Sequence, residues 1–321
     1  MRSTSPFNLR SLDAHDGAGR VLFGAGPVVV KLGGLAVDDP TRCPALWPAL
    51  RELHDAHPAG LVVVHGGAVA VDRMLDRLGL RSERRDGIRL TPEDQIDPIT
   101  GVLAGSVNTA LVGHLRRVGA PAVGLSLGSG GLCRVARSTR CGFDPGRVGE
   151  VIGGDGRLVE TLLAQDFLPV LSSIGLDDDG RPLNVNADEA AAGIARIVEA
   201  SALVLLTDVR GVRGADGGYL PTLDGAAIDR LVGAGTIAGG MIPKVRGALD
   251  AARLARVPAI IASWSEPEDL LRLARGERAG TWVLPPSERS PRLDEPELPA
   301  LAPSVTADAD RPMSRAHNAL N

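Results

Sequence analysis

The chain is nearly without lysine. Of its 35 basic residues, Lys31 and Lys244 are lysines and the other 33 are arginines. A sequence that uses arginine almost everywhere keeps lysine where a compact charge on a flexible stem does what a planar guanidinium cannot. Aromatics are scarce too, at 2%, so Val, Leu, Ile and Ala must build the core. The three cysteines, Cys43, Cys133 and Cys141, are odd in number and lack metal-site spacing. That argues against a disulfide framework or a structural zinc site and fits reduced thiols in the cytoplasm. No apolar run approaches the 18 residues of a membrane span. The opening segment MRSTSPFNLRSLDAHDG has no signal-peptide core. A formal net charge of −4 argues against a nucleic-acid-coating protein.

Glycine, by contrast, is plentiful. The 40 glycines and 23 prolines make up about a fifth of the 321 residues, against a usual share of about 12%. Residues 1–26 are rich in glycine, serine and charge, and read as a flexible N-terminal segment. Residues 285–321 carry seven prolines without periodicity and read as a disordered tail. The folded body is therefore 27–284.

Within it, short apolar runs alternate with helical patterns. VVVKL at 28–32 and LVVVH at 61–65 read as buried strands, each stopped by a glycine pair. Val71, Met74, Leu75 and Leu78 follow helical spacing. Residues 92–118 read as one long helix, with Thr91 as cap and Pro92 at its first position. Further strands are expected at 122–125, 168–172, 202–206 and 259–262, and helices at 188–199 and 242–255. Fully apolar strands alternating with helices predict an α/β fold with a parallel sheet covered on both faces. The turn-rich segments 80–90, 132–152 and 174–184 read as hairpins at its rim.

Ligands of open parallel sheets sit beyond the carboxyl ends of strands. Gly33-Gly34 and Gly66-Gly67 fall there, where a missing Cβ lets backbone N–H groups face an anion; the same pairs also serve as plain tight turns. Neither a phosphate-binding G-x-x-x-x-G-K-[ST] loop nor a strand–G-x-G-x-x-G–helix unit is evident. Lys31 lies inside a buried strand, a costly place unless it is paired or faces a ligand. Lys244 follows GGMIP and opens a helix, a setting suited to anions, although a surface cation would also fit. In LNVNADEAAAGIA, Asn184 reads as a substrate contact and Asp188 as a carboxylate orienting both ammonium groups; a simple Asx turn is the alternative. Arg89, in GIRLTP, could clamp a carboxylate bidentately or could be solvated. Asp208, past a strand end, could form a turn or contact a nucleotide. His65 reads as a satisfied strand-end histidine and not a metal ligand.

Together, VVVKLGG, VVVHGG, GIRLTPEDQIDPITGVLAGSVN, PVLSSIG, NVNAD, LLTDVRGV, GGMIPK and AGTWVL cover nearly all of 27–284. In this order they resemble the amino-acid kinase family and its acetylglutamate kinase branch, most closely the short enterobacterial form. The resemblance implies a three-layer αβα sandwich around a mainly parallel sheet. It implies a substrate and dimerisation lobe at about 27–180 and a nucleotide lobe at about 181–284. The implied activity is ATP- and Mg²⁺-dependent phosphorylation of the side-chain carboxylate of N-acetylglutamate, in arginine biosynthesis. Lys31 and Lys244 would then stabilise the transferring phosphoryl group, with Asp188 holding both. Gly67, Ala68, Arg89 and Asn184 would bind the acceptor. Gly33, Gly34, Asp208, Val209, Arg210, Gly211, Val212, Arg213, Thr236, Ile237 and Ala238 would bind the nucleotide.

The resemblance also implies a homodimer joined through the 92–118 helix. Residues 1–26 show no pattern for the N-terminal helix of arginine-inhibited hexamers, so arginine insensitivity is expected. Three departures stand out: HGGG is here His65-Gly66-Gly67-Ala68, an acidic glycine loop is here Leu127-Gly128-Ser129-Gly130-Gly131, and VNK is Val107-Asn108-Thr109. They leave room for a kinase of a related acidic amino acid such as an aminoadipate, or for a non-catalytic ligand sensor on the same scaffold.

Overall fold

The computed structural model describes residues 24–85 and 87–286. The expectations for residues 1–23 and 287–321 lie outside the described residues. All described residues fall in one compact unit.

The central sheet has eight strands. In chain order they are β1 (Val28–Leu32), β2 (Leu61–His65), β5 (Ala122–Ser126), β8 (Leu168–Ser172), β11 (Ala202–Thr207), β12 (Thr222–Leu223), β13 (Ala259–Ser263) and β14 (Thr281–Val283). Their spatial order is β12-β14-β13-β11-β1-β2-β8-β5. Every neighbouring pair is parallel except β13 with β14. The expected parallel sheet is therefore present, with two short strands at one edge, β12 and β14, running the opposite way, which periodicity did not reveal.

Alternation along β1 shows why both faces are covered. Val28, Val30 and Leu32 join one apolar cluster, with α1 (Leu35–Asp38), α2 (Leu46–Ala56), α3 (Ala68–Arg77), α5 (Asn108–Arg117) and α10 (Glu268–Ala274). Val29 joins the other, with α6 (Arg157–Ala164), α7 (Ala187–Ile197), α8 (Gly225–Gly233) and α9 (Met241–Ala255). Period two then places Lys31 on the face of Val29, the face that α7 covers.

The rim hairpins are real and build more structure than expected. β6 (Cys133–Arg137), β7 (Val148–Gly154), β10 (Pro182–Val185) and β9 (Ile174–Leu176) form a second sheet in that order. β3 (Arg84–Arg85) pairs with β4 (Ile88–Arg89).

The long helix differs from its expectation. It starts at α4 (Ile96–Thr100), continues as a π-helical stretch, Gly101–Val107, and ends in α5. Thr91 is not its cap. Its N–H donates to the Pro145 carbonyl (2.9 Å), and its own carbonyl accepts from Arg147 N–H (2.6 Å). Thr91 is thereby held as a bridge to the β6–β7 loop, and Pro92 opens a turn closed by Gln95 N–H on its carbonyl (3.0 Å).

Candidate active site

A cavity of about 290 Å³ opens at the carboxyl ends of β1 and β2. It gathers Lys31, Gly33, Gly34, Gly67, Ala68, Arg89, Asn184 and Asp188, residues drawn from segments up to 157 positions apart. The residues expected at the acceptor, Gly67, Ala68, Arg89 and Asn184, thus share one cavity with Lys31 and Asp188.

Lys31 reaches the cavity because its strand ends there. Its Nζ lies 2.9 Å from Asp188 Oδ1, with side-chain exposures of 16% and 51%. Asn186 fixes Asp188 by capping α7: its side-chain oxygen accepts from the N–H groups of Asp188 (2.9 Å) and Glu189 (3.3 Å). The Asx cap thus holds the same carboxylate-bearing residue that pairs with Lys31. Gly33 leaves the room that the ammonium occupies, since a Cβ there would lie 2.8 Å from Lys31 Nζ. Gly34 has φ 56°, a left-handed conformation that β-carbon-bearing residues disfavour.

Opposite the lysine, Gly67 is the N-cap of α3, and no side chain caps that end. The first N–H groups of α3 are thus available to an anion. Ala68, exposed at the first turn, lines the cavity and keeps its N–H; its carbonyl accepts from Arg89 Nη2 (3.0 Å). Arg89 Nη1 donates to both Asp72 and Ser82. Its Nε–H and second Nη2–H have no protein acceptor among the described residues, so part of the expected carboxylate clamp is free. Burial raises the Asp72 pKa, but hydrogen bonds from Arg89, Arg84 and Ser82 outweigh it and hold the carboxyl well below the usual range. Asn184, on β10, donates from Nδ2 to Thr91 Oγ1 (3.2 Å), which turns its amide along the cavity wall.

Of the residues expected at the nucleotide, Gly33 and Gly34 line this cavity, whereas Asp208–Arg213 and Thr236–Ala238 do not. Lys244, in the first turn of α9, donates to Asp208 Oδ1 at 2.5 Å. The two lysines have different partners in this structure: Asp188 meets Lys31, and Asp208 meets Lys244. The reason is placement, since α7 begins over β1 whereas α9 begins over the loop after β11. The Lys244 hydrogen bond lowers the Asp208 pKa. Arg210 pairs with Asp269 of α10, and Arg213 lies over the Tyr219 ring at 5.4 Å. Val212 and Ile237 are buried in the core, at 0% and 2% exposure. Val209 packs half-buried against that core, Gly211 is buried, and Thr236 and Ala238 flank Ile237 in the turn after α8.

His65 is fully buried. Its Nε2 accepts from Asn108 Nδ2 (3.0 Å), so its Nδ1–H donates to the Gly66 carbonyl (2.8 Å). Burial pushes its pKa down to about 4. The strand-end reading stands, and Asn108 of the altered VNT segment supplies its partner. The Leu127–Gly131 loop lies outside the cavity lining, with Ser129 Oγ accepting from Ser126 N–H (3.0 Å).

Sequence reasoning missed Ser138 and Cys141, which line the cavity from the β6–β7 loop. Arg140 ties that loop to Glu150 and, at 2.6 Å, to Glu189 beside Asp188. Only the pairing of distant strands brings these residues to the site, so no local pattern could flag them.

A parallel α/β sheet with lysines beside the strand ends and glycine-opened helix starts defines an anion-handling transferase site. Residues 26–263 match the profile of the Amino acid kinase family, and the chain belongs to that family. Among curated relatives, acetylglutamate kinase of Vibrio cholerae is 42% identical over 261 residues, covering 81% of this chain and 97% of the relative. Acetylglutamate kinase of Moritella profunda is 43% identical over 257 residues, 80% and 96%. Among solved structures, N-acetylglutamate synthase of Neisseria gonorrhoeae, complexed with coenzyme A and N-acetyl-glutamate, has a TM-score of 0.65 at 21% identity. It covers 82% of this chain and 60% of that one. Carbamate kinase of Giardia lamblia, bound to AMP-PNP, has a TM-score of 0.56 at 19% identity, covering 81% and 99%. These two share the fold. As a member of a kinase family, the chain uses ATP.

Proposed function

We propose that the chain is an acetylglutamate kinase, transferring the γ-phosphoryl group of ATP to the side-chain carboxylate of N-acetyl-L-glutamate in arginine biosynthesis. The observation that carries this reading is the Lys31–Asp188 pair beside the uncapped start of α3, in one cavity with Arg89 and Asn184.

The acceptor carboxylate is ionised at pH 7, its ordinary pKa being about 4.3. No general base is needed. Catalysis reduces to bringing two anions into line and neutralising the oxygens of the moving phosphoryl group. Arg89 and Asn184 hold the acceptor, while the Gly67 and Ala68 N–H groups face its reacting end. Lys31, kept in place by Asp188, meets the phosphoryl group from the acceptor side. Lys244 leaves Asp208 to meet it from the nucleotide side, and the 208–213 loop with the 236–238 turn seats the nucleotide.

Mg²⁺ fits these residues as a companion of the nucleotide. Among the described residues, no group of three or more His, Cys, Asp or Glu could form a metal cage, and Mg²⁺ is ordinarily held by phosphates with one or two carboxylates. Asp188 and Asp208, each half or more exposed, are the carboxylates beside the two lysines. Bound there, the ion would neutralise phosphate charge.

The 96–117 helical segment supports a homodimer through this face, because Ser106, Thr109, Ala110 and Gly113 leave it small and exposed. No described helix is long and apolar enough to cross a membrane, which agrees with the cytoplasmic setting proposed from the reduced thiols.

The test is ADP release from MgATP against a panel of acceptors. Acetylglutamate should give the highest kcat/KM. Preference for an aminoadipate derivative would move the substrate assignment, and nucleotide binding without turnover of any acceptor would favour a sensor.

A further inference from the structure

Asp269 is an acidic side chain placed where apolar packing would be expected. Its carboxylate is 1% exposed on α10, whose Leu270 and Leu273 belong to the core. Both oxygens are taken by one guanidinium: Arg210 Nε donates to Oδ2 (3.1 Å) and Nη2 to Oδ1 (3.0 Å). Arg272 Nη1 stands farther off, at 4.0 Å. Taking a carboxylate out of water costs several kcal/mol, and apolar residues of similar volume often stabilise as well or better. Fold stability therefore does not account for the pair. A two-point fork with fixed geometry does account for a placed loop.

Arg210 occupies the middle of the loop after β11. One end is tied by Thr207, whose Oγ1 accepts from Val209 N–H (3.2 Å). The other is tied by Thr281, whose Oγ1 accepts from Val212 N–H (2.9 Å). Between them, the Arg210–Asp269 fork is the side-chain tie that joins the loop to α10. The same loop carries Asp208, the partner of Lys244.

We infer that Asp269 is a positioning residue for the nucleotide: acting through Arg210, it fixes the 208–211 backbone, and with it Asp208, in the geometry that receives the nucleotide. This rests on the reading that this loop meets ATP. Without the tie, the loop must be ordered anew at each binding event, and affinity for the nucleotide falls accordingly.

The experiment compares wild-type enzyme, Asp269→Asn, Arg210→Met and the double variant Arg210→Met/Asp269→Leu. It measures Kd for MgADP by calorimetry, KM for MgATP and for acetylglutamate, and thermal stability. Asp269→Asn should raise Kd for MgADP and KM for MgATP about tenfold, with KM for acetylglutamate moving less than twofold. The double variant leaves no buried unpaired charge, so it should recover stability yet keep the raised Kd. A double variant with wild-type stability and wild-type Kd would show that the pair only packs α10, and would overturn the inference. If it does not fold, Asp269→Asn alone decides by the same Kd criterion, because the amide keeps the shape of the buried carboxylate and leaves only Arg210, 41% exposed, without its ion partner. Wild-type enzyme that binds MgADP but phosphorylates no acetylglutamate would refute the acceptor assignment and leave this inference standing. Wild-type enzyme that binds no MgADP would overturn it together with the nucleotide reading.

Discussion

Replacing Gly33 with alanine should separate catalysis from stability. A Cβ at this position would lie 2.8 Å from Lys31 Nζ and 3.4 Å from its Cε. Relaxed non-bonded contacts are about 3.5 Å or more, so the ammonium must retreat by about 0.7 Å. It now sits 2.9 Å from Asp188 Oδ1; a retreat along that line would stretch the pair to about 3.6 Å, beyond charge-assisted hydrogen-bond length. Displacements of about 1 Å in a reacting constellation cost about a hundredfold in rate, or about 2.7 kcal/mol of barrier. The main chain need not move, because the crowded atom is the end of a flexible side chain. Stability should therefore change by less than about 1 kcal/mol, which a thermal melt reads as a shift of a few degrees. The assay is steady-state ADP release with saturating MgATP and acetylglutamate, alongside that melt. Gly33→Ala with wild-type kcat would refute the proposed role of the Lys31 ammonium, as would a collapse of stability in place of kcat.

Other expectations are independent of this one. Lys31→Arg and Lys244→Arg should each lower kcat at least about a hundredfold with smaller changes in KM, since a planar fork cannot follow a moving phosphoryl group as an ammonium does; near-normal kcat in both would make the two lysines accidental. Arg89→Lys should raise KM for acetylglutamate about tenfold with little effect on KM for MgATP, because it removes the fork held by Asp72; equal effects on both substrates would place Arg89 elsewhere in the reaction. His65 should give the fold an acid sensitivity. Its folded pKa of about 4 is below the ordinary 6.5, so the unfolded chain binds more protons between these values, and stability falls as pH drops from about 6.5 towards 4. The loss amounts to about 3 kcal/mol, read as the extra decline of wild-type over His65→Gln in urea unfolding across that range; parallel declines would contradict the burial of a neutral ring.

The inner strands were legible because burial on both faces leaves them almost wholly apolar, and a glycine pair marks the end of β1 and of β2. Lys31 and Asp188 were legible for a related reason, being charges set against an apolar strand and an alanine-rich helix. Thr91-Pro92 misled because a cap and a bridge residue carry the same local chemistry; the backbone bonds of Thr91 to Pro145 and Arg147 decided between them. The partner of Lys244 was not legible either. Two acidic residues follow strand or helix boundaries in similar contexts, and the order of strands in the sheet assigns Asp208 to Lys244 and Asp188 to Lys31. Fork pairs such as Arg210 with Asp269 join positions whose proximity exists only after folding.

The most direct test of carboxylate phosphorylation at this site is hydroxylamine trapping. With MgATP and acetylglutamate, an acyl phosphate intercepted by hydroxylamine should yield one hydroxamate for each ADP released, and both should disappear together in Lys31→Met. ADP released without hydroxamate, or hydroxamate formed undiminished by Lys31→Met, would contradict phosphoryl transfer to a carboxylate at the Lys31–Asp188 pair.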